Sequence, residues 1–144
     1  MAEASDYLEN QLSDHIFRTA SFTKPTGLYY ALYTASPGDT GGGTEVSGGS
    51  YARVNLAPAD ANYNGTHGNT TGASSGTGGQ ISNASAITFA APTANWGTVT
   101  DMAVLDASTG GNFLVYTPLT TSKTINNGDA APSFAVGAFT NTIA

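Results

Sequence analysis

The chain has 144 residues, ten acids against four bases for a formal charge of −6, 18 glycines and no cysteine. That length suits a single domain over 1–144 that buries its own core, and the missing cysteines exclude disulfides and thiolate metal sites. The four cations, Arg18, Lys24, Arg53 and Lys123, form no run, which argues against nucleic acid or an anionic membrane as partner. No apolar run approaches the roughly 20 residues of a membrane helix, and the acidic N-terminus carries no cleavable signal pattern.

Residues 5–19 read as one amphipathic helix. Leu8, Leu12 and Ile16 recur every four residues, which lines them along one face. Ser5 or Asp6 can cap its start, and Asp6 with Glu9 has capping-box spacing. The stripe must bury against the edge of the chain's own β-layers, a neighbouring subunit or the surface of a larger assembly. His15 flanks it, as a half-buried packing residue.

From residue 26 to 144 the pattern is β. In Thr26–Thr34, Leu28, Tyr30 and Leu32 share one face, and Tyr29, Ala31 and Tyr33 the other. Residues 50–56 form the next alternating run, with Ala52, Val54 and Leu56 opposing Tyr51, Arg53 and Asn55. Residues 57–80 are Gly-, Asn- and Thr-rich and read as a long loop with too little apolar surface to order itself. A strand resumes over Ala84–Phe89.

The strongest signal lies at residues 96–119. Two runs rich in β-branched and aromatic residues flank Ser108-Thr109-Gly110-Gly111, a hairpin signature. Alternation puts Val99, Asp101, Ala103 and Leu105 on one face, and Thr100, Met102 and Val104 on the other. Neither face is wholly polar, so cover is expected on both sides. Short strands follow at Lys123–Asn126, from Phe134, and at Phe139–Ile143. The expected architecture is a mostly β, antiparallel β-sandwich, jelly-roll-like, with one N-terminal amphipathic helix.

Reactive groups are sparse. His15 and His67 are the only histidines and lack zinc-ligand spacing. Asp101 and Asp106 are an odd number of residues apart, hence on opposite strand faces, which disfavours a glycosidase pair. Asp101 interrupts an apolar strand and can pair with Arg53 or Lys123, face solvent, or serve a site; Asp106 reads as a turn residue. Asp60-x-Asn62-x-Asn64 lacks the glutamate that closes a calcium loop. No catalytic residue, metal site or cofactor is assigned. Tyrosines suit surfaces that are part apolar and part wet. Tyr29, Tyr33 and Tyr51 form a second layer of the domain, a subunit contact, or a stacking surface for glycan.

The segments TGLYYALYTASPGDTGGGTEVSGGSYARV (26–54), ITFAAPTANWGTVTDMAVLDASTGGNFLVYTPLTTSKTINNGD (87–129) and SFAVGAF (133–139) together resemble a family of small virion proteins of tailed bacteriophages. Members are labelled tail fibre proteins, and similar proteins decorate or cement phage heads. The resemblance covers nearly the whole chain, helix included. It implies a β-sandwich within an oligomer and carries over no catalytic residues.

The reading placed first is a non-enzymatic, structural virion protein, assembled in the host cytoplasm. It decorates the head exterior as a homo-oligomer, a trimer, that bridges neighbouring copies of the major capsid protein. The alternative is a tail fibre or tail-associated receptor-binding module touching host glycan through 57–80. A small glycoside hydrolase or esterase is the third reading. Candidate interface residues are Leu8, Leu12, Ile16, Phe17, Tyr29, Tyr33 and Tyr51.

Overall fold

A computed structural model describes residues 2–143. In chain order the elements are β1 (Glu3–Ala4), α1 (Asp6–Phe17), β2 (Tyr29–Ala35), β3 (Thr44–Glu45), β4 (Val54–Asn55), a 3-10 turn (Asp60–Asn62), β5 (Tyr63–Asn64), β6 (Gln80–Asn83), β7 (Ile87–Thr88), β8 (Gly97–Leu105), β9 (Phe113–Ile125), β10 (Ser133–Phe134) and β11 (Thr140–Thr142). The protein is mostly β, with one helix near the N-terminus, as its periodicity predicts.

The main sheet runs β1-β9-β8-β2-β3, with β4 sharing the outer edge of β2. Every pairing in it is antiparallel. Its centre is the expected hairpin, β8 and β9, closed by Asp106. The Asp106 carboxylate accepts from the Asn112 backbone N–H at 2.6 Å and from Asn112 Nδ2 at 2.7 Å, which bonds the turn to its own backbone. A second layer consists of two short ladders, β10-β7 and β11-β6-β5, in place of one full sheet.

The main core lies between these layers. Tyr30, Leu32, Met102 and Val104 meet Ile87, Phe89 and Phe139 there, all buried. Burying each large side chain contributes about 1.5–3 kcal/mol. Tyr30 packs edge-on to Phe139 with ring centres 5.2 Å apart. Behind the sheet, Ala31, Tyr33, Ala103, Leu105 and Phe113 form a smaller cluster, so the hairpin is apolar on both faces. The alternation read for Thr26–Thr34 holds: Tyr30 and Leu32 go to one cluster, Ala31 and Tyr33 to the other.

Asn83 joins the second layer from within. It is fully buried. Its Nδ2 donates to the carbonyls of Ser85 at 2.8 Å and Ala135 at 2.9 Å, and its Oδ1 accepts from the Phe139 N–H at 2.9 Å. A buried amide satisfied on both ends fixes one packing of its neighbours.

Several expectations shift. Of Lys123–Asn126, expected as a separate strand, all but Asn126 belong to the 13-residue β9. Pro118 has no N–H to give the ladder, and the register jumps from Asp101↔Pro118 to Val99↔Lys123. That irregularity turns Val99 away from Asp101, and it joins Met102 and Val104 in the main core. Within residues 57–80, expected to be loop throughout, Asp60–Asn64 is a 3-10 turn and a strand that pairs with β6. Residues 50–56 supply only the two-residue β4, and Tyr51 packs on the same core as Val54 instead of opposing it. Ile143 is 67% exposed while Phe139 is buried, so the two do not share a face.

The helix is capped by Ser5, whose Oγ accepts from the Leu8 N–H at 3.2 Å. The same hydroxyl donates to the Phe113 carbonyl, and the Ser5 N–H donates to the Leu114 carbonyl at 2.9 Å. The cap thereby fixes the start of α1 to β9. Tyr7 and Leu8 pack against the core, yet no helix residue is fully buried.

Candidate functional site

The seven residues expected at an interface divide by exposure. Tyr33 is 5% exposed and lies edge-on to Phe113. Tyr51 is half-buried, stacked on Phe89 and edge-on to Trp96. Its hydroxyl accepts from the Leu32 N–H at 2.9 Å and donates to Glu45 Oε1 at 3.0 Å. Burial pushes its phenol pKa well above the ordinary value. Tyr29, Leu8 and Leu12 are half-buried. Ile16 and Phe17 are 66% and 84% exposed. The helix thus holds to the domain by its first turns and presents its last turn to the surroundings.

Two hollows among the described residues stand out. The larger, about 480 Å³, lies between β9 and β10. Leu32, Val99, Met102 and Ile125 line its depth, and Thr120 and Lys123 stand among its lining residues. Residues of α1 do not line it. The second, about 390 Å³, sits beneath the glycine-rich loop, where Lys24, Asp60, Tyr63, Asn69 and Thr70 converge with Leu28 and Ile81. The Tyr63 hydroxyl is already committed: it donates to the Leu56 carbonyl at 3.1 Å and so accepts from Tyr30 at 3.1 Å. Its ring remains as an apolar wall beside amide, hydroxyl and charged groups.

Several titratable side chains make contacts within the fold. Arg53 does not pair with Asp101; it forks onto Glu45, Nη2–Oε2 2.7 Å and Nε–Oε1 2.8 Å. Asp101 is 5% exposed, and its Oδ2 accepts from Thr100 Oγ1 at 2.6 Å. Tyr116 Oη lies 2.8 Å from Glu3 Oε2 and 2.7 Å from Asp39 Oδ1. Those hydrogen bonds, to Asp39 first, raise its phenol pKa. They tie β1 to the loop after β2.

Both histidines differ from expectation. His15 is exposed, because the helix end stands clear of the sheet, and its Nδ1 accepts from the Phe22 N–H at 3.2 Å. His67, expected in solvent, is folded into its own loop. Its Nε2 donates to the Thr71 carbonyl at 2.7 Å, and its Nδ1 is enclosed without a partner. Among the described residues neither imidazole has a hydroxyl nucleophile as a hydrogen-bond partner.

A family model described as Podophage GP4 fiber I protein gp80 matches residues 3–142. The chain belongs to this phage fibre-protein family. It is thereby a structural virion protein, and its place is in the virion. The match spans α1, both layers and the long loop. No curated protein matches the chain.

Sequence reading missed both hollows. Each is lined by residues far apart in the chain, and the one local sign of the larger is the proline that breaks the β9 ladder.

Proposed function

We propose that the protein is a subunit of a phage tail fibre and presents the loop over residues 65–79 to a host surface glycan. The fibre description of its family carries this reading, and it favours a fibre over capsid decoration, which the short chain and acidic surface had put first. The loop supports the second half. Residues 71–80 are all exposed, and the hollow beneath them sets the face of an aromatic ring beside hydroxyl, amide and charged groups, the combination that holds a polar ring with apolar faces. Function on this reading is contact, not turnover.

Two measurements test it. Antibody labelling of intact virions, with copy number from gels, should place the protein on the tail in small numbers. Hundreds of copies over the head would return the decoration reading, with the major capsid protein as partner. Glycan-array binding by the isolated protein should be lost when 65–79 is shortened to a tight turn, and the Asn69→Ala variant should weaken it. Binding that survives both changes refutes the loop assignment.

A further inference from the structure

Three features of the surface bear on assembly. The last turn of α1 exposes Ile16 and Phe17, large apolar side chains with nothing over them. The cleft between β9 and β10 has an apolar floor and no helix residue in it. Beyond Tyr116, the outer edge of β9 has no strand partner among the described residues, since β1 pairs only with Val115 and Tyr116.

We infer that the end of α1 from one copy, led by Phe17 and Ile16, seats in the β9–β10 cleft of a second copy of this chain. Size fits. A phenyl ring fills a cavity of about 150 Å³, and the cleft offers about 480 Å³, so it takes Phe17 with room for Ile16. Charge fits too. Asp14 lies three residues before Phe17, on the same helix face, and pairs only with the exposed Arg18 at 3.3 Å. Lys123 lines the cleft and makes no ion pair among the described residues. Seating Phe17 brings the Asp14 carboxylate toward that ammonium. The arrangement also meets the hazard of an open strand edge, which proteins cover or pair.

The geometry has a consequence for assembly. Knob and socket belong to one chain, so each copy both gives and receives. Reciprocated across a two-fold axis such contacts close as a dimer; otherwise they close into a larger ring or continue as a filament. The inference concerns self-assembly and stands apart from the glycan reading.

The test uses the full chain in analytical ultracentrifugation. The unaltered protein should be a dimer or larger oligomer. The Ile16→Ser, Phe17→Ser double variant removes the knob; Ala138→Trp fills the cleft from an exposed wall position. Each alone should weaken self-association by about tenfold or more, the scale of losing an interface anchor, with an unchanged circular dichroism spectrum. Mixed one to one, they should form a heterodimer that grows no further, because one intact knob meets one intact socket. Lys123→Glu should likewise weaken assembly, and adding Asp14→Lys should restore it. This pair needs no bulky insertion. A monomeric parent protein, a mixture that stays monomeric, or a reversed charge pair without rescue would overturn the inference.

Discussion

Arg53 grips Glu45 with two parallel hydrogen bonds and turns its remaining nitrogen to the far end of the central hairpin. Nη1 donates to the carbonyls of Ala107 and Gly110, both at 2.8 Å. Only 8% of the arginine side chain and 26% of the glutamate are exposed. One side chain thus joins the β3 edge to the β8–β9 turn, and its hydrogen bonds to Glu45 raise a pKa that is already high. A planar fork does this and an ammonium does not.

Replacing Arg53 with Ala strands the Glu45 carboxylate and two turn carbonyls. The expected cost is about 2–4 kcal/mol, toward the lower end of values for breaking a buried pair because Glu45 keeps some water. Urea unfolding measures it. Arg53→Lys should fall between, keeping the charge and losing the fork. A variant as stable as the parent would show that the clamp contributes nothing.

High pH should unfold this protein. Burial raises the phenol pKa of Tyr30, Tyr51, Tyr33 and Tyr63, and hydrogen bonds to carboxylates raise that of Tyr116. The folded state therefore holds these protons more tightly than the unfolded chain, whose tyrosines titrate near 10. The stability this confers is complete below about pH 10 and is lost as pH rises above it. Tyr30, fully buried, alone should remove about 1.4 kcal/mol per pH unit over that range. The urea midpoint should be flat from pH 7 to 9 and drop by pH 11. Absorbance at 295 nm at pH 11 should show fewer than seven phenolates in the native protein and all seven in urea.

The Trp96 indole N–H donates to the Gly49 carbonyl at 3.0 Å, and this loop offers a matched pair of tests. Gly48 and Gly49 both have positive φ, +74° and +52°. A Cβ on Gly48 meets nothing, whereas one on Gly49 would lie 2.7 Å from Ala94 Cβ and 2.8 Å from its nitrogen. Gly48→Ala should cost only the left-handed backbone strain, about 1–2 kcal/mol. Gly49→Ala should cost roughly 2–4 kcal/mol and shift Trp96 fluorescence as the indole loses its acceptor. Equal losses at the two sites would mean that contact with Ala94 contributes nothing.

The sequence by itself determined the β class, the N-terminal helix, the central hairpin and the faces of Tyr30 and Leu32 against Ala31 and Tyr33, because these follow from periods of 2 and 3.6 and from turn chemistry within a few residues. The segments that carry the family resemblance are equally local. Tertiary structure alone decided which tyrosines lie inside, since alternation sets Tyr51 with Arg53 and Asn55, opposite Val54, and only the closing of Phe89 and Trp96 on its ring brings it to the core. It also decided that Arg53 belongs to Glu45 and not to Asp101, that Pro118 shifts the register and sends Val99 to the other face, and that Asn83 holds Phe139. Long-range register and the pairing of charges depend on which distant segments meet. No local pattern encodes that, and so the cleft and the exposed helix end became visible only once the layers were in place.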